Sequence, residues 1–226
     1  MHAIGDRAVD DVAAILRRAA KARKQRDREE KTKFRPLGAP DTRPASRPLR
    51  LEHAQHLSGS AVVKALHHSK IMVVPNPLHL LDDAAVAGSR LGAERASAGR
   101  AFAIGSMAQG KVAMAFGSDW PVAPLEPLVA VHAAAYRRPP GRAACCGKVA
   151  GGATPSDCLY HDGEGAEGEA GSDGDSGGGA AGWPWLPEEA VEVEAALLAH
   201  TREAAKALMM QDYVGTLRCA GFRVCA

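Results

Sequence analysis

Two residues whose side chains could bind a metal ion lie at or just beyond the ends of apolar segments of this chain. His53 ends the short run Leu49-Arg50-Leu51-Glu52-His53, and Asp119 follows the apolar run at 112–116. Imidazole nitrogens and carboxylate oxygens are common ligands of divalent metals. Taken singly, a His after a strand is more often a hydrogen-bonded structural residue, and an Asp before a helix is usually a cap. The pair becomes informative only if the fold brings the two side chains together.

The elements around them alternate between strands and helices. Strands are predicted at 49–53, 71–74 and 112–116, where β-forming apolar residues predominate. A long helix begins at Asp6, which is predicted to be its cap, and runs into the charged stretch 21–33; Ser58 is predicted to cap a second helix. A third helix is expected near 94–109, after a loop over 76–92. This alternation indicates βαβ units and a parallel sheet.

The carboxyl ends of the strands in an α/β barrel converge on one face, where active sites lie. The predicted fold class is therefore α/β, and the resemblance described below implies a partial (β/α)8 barrel of roughly the last three to four β/α units. On this interpretation, residues 1–138 form the partial barrel, and 139–186 form a low-complexity insertion. The acidic, glycine-rich composition of 162–182 predicts disorder. Residues 187–217 contain the C-terminal helix of the barrel, predicted over 187–210, and 218–226 form a divergent tail.

Composition excludes several classes of function. A net charge of +2 from 28 basic and 26 acidic residues gives no field that would favour a nucleic-acid or membrane partner. The five cysteines contain no C-x-x-C pair, which favours reduced thiols. We find neither a signal-peptide pattern nor an apolar run that could span a bilayer. These observations predict a cytoplasmic protein.

Four segments, in this order, carry a resemblance to a known superfamily. They are His2-Ala-Ile-Gly-Asp-Arg-Ala-Val9, Leu51-Glu-His-Ala-Gln-His56, Asn76-Pro-Leu-His-Leu-Leu-Asp-Asp83 and Phe116-Gly-Ser-Asp-Trp-Pro-Val-Ala-Pro124. Together they resemble the amidohydrolase superfamily and, more narrowly, the branch that includes N-substituted formamide deformylases. The resemblance covers most of 1–138 and, more loosely, 187–217.

The resemblance implies a site and a reaction. His2 and His53 correspond to the metal-binding histidines after barrel strands five and six, and Asp119 to the metal-binding aspartate after strand eight. Asp119 is also the implied catalytic residue, which takes a proton from metal-activated water. His79, in the loop after strand seven, is the implied substrate contact. The expected reaction is hydrolysis of a non-peptide C–N bond in a small amide or formamide, with a divalent metal, zinc by preference.

This sequence also departs from the family pattern. The family supplies a His-x-His pair from strand one and a bridging ligand from strand four, and neither has a counterpart in 1–226. Its C-terminal pattern continues into a glycine-lysine-alanine-aspartate segment, where this chain has the unrelated residues 218–226. A second hypothesis is therefore a truncated, non-catalytic remnant that acts as an interaction module. An unclosed barrel would expose a sheet edge, so self-association through that edge is also expected.

Overall fold

Four parallel strands form the centre of the computed structural model, which describes residues 1–32, 47–140 and 183–217. The strands lie in the order β1-β2-β3-β4, the same as their order in the chain. Their bounds are β1 His2–Ala3, β2 Arg50–His53, β3 Met72–Val74 and β4 Ala113–Met114. Because each strand pairs in parallel with the next, all four carboxyl ends lie at one edge of the sheet.

Helices connect the strands and follow the last of them. The connecting helices are α1 Asp6–Thr32, α2 Ser60–His68, α3 His79–Leu91 and α4 Ile104–Gln109. After β4 come α5 Pro127–Tyr136, a 3-10 turn Pro187–Glu189, α6 Val193–His200 and α7 Arg202–Ala207. None of the helices in the described ranges has the length and apolar composition needed to cross a bilayer.

The sheet is covered on both faces. On one face, Leu51 and Val73 pack in a cluster with residues of α1 and α2, including Val9 and Leu66. On the other face, Met72, Val74 and Ala115 contact small residues of α7, among them Ala207. Burial on both faces explains why the strand at 72–74 is an uninterrupted apolar run. The predicted class, α/β with a parallel sheet typical of a partial barrel, is confirmed.

Several predicted boundaries were wrong. His79 does not lie in a loop, because it is the first residue of α3. The apolar residues Leu80, Leu81, Ala84 and Ala87 recur at helical spacing and are all buried, which outweighs the nearby loop-forming residues. The helix predicted at 94–109 is reduced to α4, with Gly99 at a φ of 75° in the turns before it.

The predicted caps and the terminal helix also need correction. Gly59, and not Ser58, is the residue that precedes α2. The Ser58 hydroxyl instead donates a hydrogen bond to Asp10 Oδ1 at 2.7 Å. Asp6 is the first residue of α1 rather than its cap, and its carboxylate pairs with Arg95 at 3.1 Å. The helix predicted over 187–210 is divided into a 3-10 turn, α6 and α7, with a break at Thr201.

Two predictions fall on residues outside those that the structure describes: the disorder of 162–182 and the divergent tail 218–226.

The segment just after the insertion is held in place by the buried carboxylate of Glu189. Glu189 accepts hydrogen bonds from the backbone N–H groups of Gly99 (2.6 Å) and Ser106 (2.7 Å) and from the Ser106 hydroxyl (2.7 Å). A Cβ on Gly105 would lie 2.8 Å from the Cα of Glu189, so this close approach requires glycine.

Acidification is expected to destabilise the protein in part through His200. Burial lowers the pKa of His200 from 6.5, and its ring packs edge-on against Phe116. The unfolded chain therefore binds this proton at higher pH than the folded protein does. The stabilising effect of the neutral ring is complete above the unfolded-state pKa and is lost as pH falls through the folded-state pKa.

We expect His200→Leu to flatten the dependence of the unfolding free energy on pH below about 6.5, by up to about 1.4 kcal/mol per pH unit. Urea unfolding measured at several pH values tests this. The matched control is His68→Leu, at an exposed histidine of α2. His68→Leu should keep the pH dependence of the unsubstituted chain. If His200→Leu keeps it as well, the assignment to His200 is wrong.

Candidate metal centre

Four polar side chains meet at the end of the sheet where all four strands have their carboxyl ends. His2 lies in β1 and His53 is the last residue of β2. His79 begins α3, five residues after the end of β3, and Asp119 follows β4. Neighbouring parallel strands place their ends side by side, so residues far apart in the chain come into contact at this edge.

The distances define two overlapping groups. His2 Nδ1 lies 2.9 Å from His53 Nε2. His53, His79 and Asp119 each offer one ligand atom, and these atoms all lie within 4.8 Å of one another. His79 Nε2 and Asp119 Oδ2 are 3.8 Å apart, which is longer than a hydrogen bond. His53 belongs to both groups and therefore connects His2 with His79 and Asp119.

Two nitrogens of this group lack a hydrogen-bond partner. His53 Nδ1 and His79 Nε2 are buried and have no partner within the described part of the chain, as is also true of ring nitrogens of His56, His132 and His200. A buried polar atom without a partner costs about 1–3 kcal/mol. At His79 Nε2, the atom that lies 3.8 Å from Asp119, a bound cation would provide the missing partner.

The backbone at both strand ends is in an uncommon conformation. His53 has a φ of 67°, Ala54 a φ of 46° and Asp119 a φ of 61°. Non-glycine residues in this left-handed region are uncommon, although His and Asp adopt it more readily than most, and such residues cluster at functional sites.

Burial keeps one imidazole in the form that binds metals. The pKa of His79 is lowered, chiefly by burial and to a smaller extent by the nearby His53, while Asp119 opposes the shift. A histidine with a lowered pKa is neutral at physiological pH, and the neutral ring has the free lone pair that a ligand needs.

A cavity of about 210 Å³ opens beside these side chains and is lined by His2, His53 and Asp119. Asn76 also lines it and is buried, with 7% of its surface exposed. Its Nδ2 donates to the carbonyl oxygen of Gly117 at 3.1 Å. Because that carbonyl can only accept, Oδ1 is the remaining atom of the amide, and it has no partner among the described residues.

The donor set fits a divalent metal. Zinc binds histidine nitrogen and carboxylate oxygen at about 2.0–2.2 Å in a tetrahedral arrangement, so two ligands of one ion lie about 3.3–3.6 Å apart. The 3.8 Å between His79 Nε2 and Asp119 Oδ2 is close to this distance. The ligand atoms of His53, His79 and Asp119 all lie within 4.8 Å of one another. The arrangement can hold an ion and leave positions open for water or substrate.

The structure brings together all four residues identified from the sequence. The role of each stays a prediction, and the geometry adds one point. The most compact group contains His79, which the resemblance assigned to substrate, rather than His2, which it assigned to the metal. Sequence reasoning missed Asn76 and Glu52 as cavity residues. Asn76 follows an apolar strand, which is the same signal that identified His53 and Asp119.

This chain is similar to several known proteins over almost its whole length. Protein LONG AFTER FAR-RED 3 from Arabidopsis thaliana is 30% identical over 220 residues, a match that covers 96% of this chain and 27% of that protein. Crystal structures of uncharacterized metal-dependent hydrolases from Pyrococcus furiosus and Pyrococcus horikoshii OT3 superpose with TM-scores of 0.55 and 0.58, at 20% and 19% identity. They cover 97% and 96% of this chain and 30% of each hydrolase.

The chain thus spans less than a third of the length of these relatives. At these identities the two superpositions establish the shared fold. The family is established by the sequence, because the model of the amidohydrolase family matches residues 1–220. The chain belongs to the amidohydrolase family.

Proposed function

We propose that this chain supplies part of the metal centre of a hydrolase that cleaves non-peptide C–N bonds in small amides, with formamides as the narrower candidate class. The observation that carries the proposal is the convergence of His53, His79 and Asp119, with two unsatisfied buried nitrogens, beside a cavity. Family membership supports a hydrolytic reaction. The formamide class depends on the sequence resemblance alone.

The chain's own residues would divide the work as follows. His53 and His79 would hold the cation through ring nitrogens, and His2 lies close enough to His53 to assist. A divalent ion, zinc by preference, supplies Lewis acidity and acidifies water when it is bound. Asp119, whose side chain is 30% exposed, accepts a proton from water and returns it to the departing nitrogen. Asn76 lines the cavity, and its Oδ1, which has no partner among the described residues, is the candidate acceptor for a substrate N–H group.

The test is metal-dependent hydrolysis by the purified chain. After loading with Zn²⁺, the chain is assayed for release of formate or acetate from N-benzylformamide and N-benzylacetamide. Product formation that disappears with a chelator and with Asp119→Asn supports the proposal. Zinc bound with the expected ligands but without hydrolysis would contradict the catalytic part of it. Absence of zinc binding by the unsubstituted chain would contradict the whole.

An interaction module is the second candidate function. The loop between β4 and α5 and the first turn of α5 expose large apolar side chains: Trp120 is 65% exposed, and Val122 and Leu128 are each 73% exposed. Such a group of exposed apolar residues marks contact surfaces more often than isolated ones do. Sedimentation that shows reversible self-association, lost on Val122→Ser together with Leu128→Ser, would favour this function, and a monomer at all concentrations would count against it.

A further inference from the structure

A second carboxylate lies behind the metal centre and joins the two segments that carry its histidines. Gln55 Nε2 donates a hydrogen bond to Asp83 Oδ2. Gln55 follows His53 by two residues, and Asp83 follows His79 by four residues on α3. Residues four apart in a helix lie on the same face. The contact therefore connects the loop after β2 directly to the ligand-bearing face of α3.

The loop end of this contact is held from several sides. Phe102 N–H donates to the Gln55 carbonyl oxygen at 2.7 Å, and His56 N–H donates to the Ile4 carbonyl oxygen at 2.9 Å. Gln55 itself is buried, with 8% of its surface exposed. Its backbone position is thus fixed by its neighbours. Its side chain reaches across to α3, and its amide must present nitrogen to the carboxylate because an ionised carboxylate can only accept.

The loop needs such support, because it leaves the sheet in an unfavourable conformation. His53 and Ala54 both have left-handed backbone angles, with φ of 67° and 46°. Each residue held in such a region costs of order 1–3 kcal/mol and persists only when its surroundings impose it. A bond from Gln55 to α3 lies one residue beyond these two positions and resists their relaxation.

The charges around Asp83 suit a link to the histidines. His79 and His56 face it from the site and from the loop, and Asp82 and Arg90 lie on its own helix. Burial raises the pKa of Asp83, while His79, His56 and Arg90 oppose the shift. When it is ionised, a half-buried carboxylate in this position forms a charge-assisted hydrogen bond, which is stronger than one between neutral groups.

We propose that Asp83 is a positioning residue of the metal centre, which acts through Gln55 to fix the loop that carries His53 against the helix that carries His79. This inference rests on the proposed function, since it needs a metal at the site. Residues that orient metal ligands from outside typically change metal affinity by about 10–100-fold when they are removed. Asp83 should have an effect of this size although it offers the ion no ligand.

The experiment is a zinc titration in competition with a chromophoric chelator. Asp83→Ala and Gln55→Ala are each expected to weaken zinc binding by about 10–100-fold. The zinc affinity of the double variant should equal that of the single variant with the lower affinity, because each change removes the same contact. The matched control is Asp82→Ala, which removes an equal charge from the adjacent position of the same helix.

A spectroscopic reading separates positioning from general loss of stability. With Co²⁺ in place of zinc, the visible absorption of Asp83→Ala should change in intensity and band position relative to the unsubstituted chain, because the histidines shift relative to each other. Asp82→Ala should keep the original spectrum. Urea unfolding of each metal-free variant identifies any change that comes from unfolding instead.

The outcomes distinguish this inference from the function on which it rests. If the unsubstituted chain binds no zinc, both are overturned. If it binds zinc and Asp83→Ala binds equally well, or no more weakly than Asp82→Ala, only the role of Asp83 is overturned. Additive losses in the double variant would show that Asp83 and Gln55 act separately, which also contradicts the proposal.

Discussion

Replacing His53 with alanine is expected to abolish specific metal binding by this chain. His53 is shared by the pair with His2 and by the group with His79 and Asp119, so its loss breaks both arrangements at once. Loss of a residue that merely orients a ligand already costs about 10–100-fold in affinity, and loss of a central ligand should exceed about 100-fold. Isothermal titration with Zn²⁺ provides the measurement.

The flanking histidines then identify the third ligand. If the compact group binds the ion, His79→Ala should weaken zinc binding far more than His2→Ala does. The reverse order would favour the set expected from the resemblance, His2, His53 and Asp119. The control is His68→Ala, at an exposed histidine on α2. Binding that survives His53→Ala, or that His68→Ala weakens as much, would assign the metal to surface histidines.

Replacing Arg137 with methionine is expected to destabilise the fold by about 3 kcal/mol, because two buried hydrogen bonds from a charged donor are lost. Arg137 is fully buried, with Nε donating to the Trp185 carbonyl oxygen at 3.1 Å and Nη1 to the Phe102 carbonyl oxygen at 3.2 Å. Burial lowers the pKa of Arg137 to about 10, opposed by Glu189 and Glu188, so the side chain remains charged at neutral pH. Its loss leaves both carbonyl groups without this donor.

The adjacent arginine provides a matched control. Arg138 is exposed, and Arg138→Met removes the same charge and adds the same side chain one residue later. We expect it to change stability by less than about 0.5 kcal/mol, as surface substitutions usually do. Urea unfolding of the two variants compares them directly. Equal losses would mean that net charge, and not the buried contacts of Arg137, determines the effect.

The strands could be predicted because their residues leave little alternative. The run at 71–74 is apolar, with three β-branched residues out of four, and it is buried at every position of β3. Strand β4 is shorter than the predicted 112–116, and Ala113 is exposed at the edge of the sheet. The apolar pattern predicted a longer strand there than the two residues found, because β4 has only one neighbour, β3, among the described strands.

Helix α3 shows where local reasoning fell short. Asn76, Pro77 and Gly92 suggested a loop, whereas the helix between them is amphipathic and packs its buried side against the region around Phe102 and Trp185. Its start places His79 in the site. The link between Gln55 and Asp83 could not be predicted either, since it depends on the orientation of α3 relative to the loop after β2. Such contacts follow from tertiary packing, which spacing along the chain does not reveal.

Helix α7 lines one side of the cavity, so the size of its side chains determines the volume of the cavity. The helix presents Ala204 and Ala207 to the space beside Val74 and Ala115. Methyl side chains allow close approach, so each added carbon at these two positions would either fill the cavity or lift the helix from the sheet. Neither position supplies a candidate ligand. The room available to a bound molecule can therefore vary independently of the metal chemistry, through two small side chains contributed by the far end of the chain.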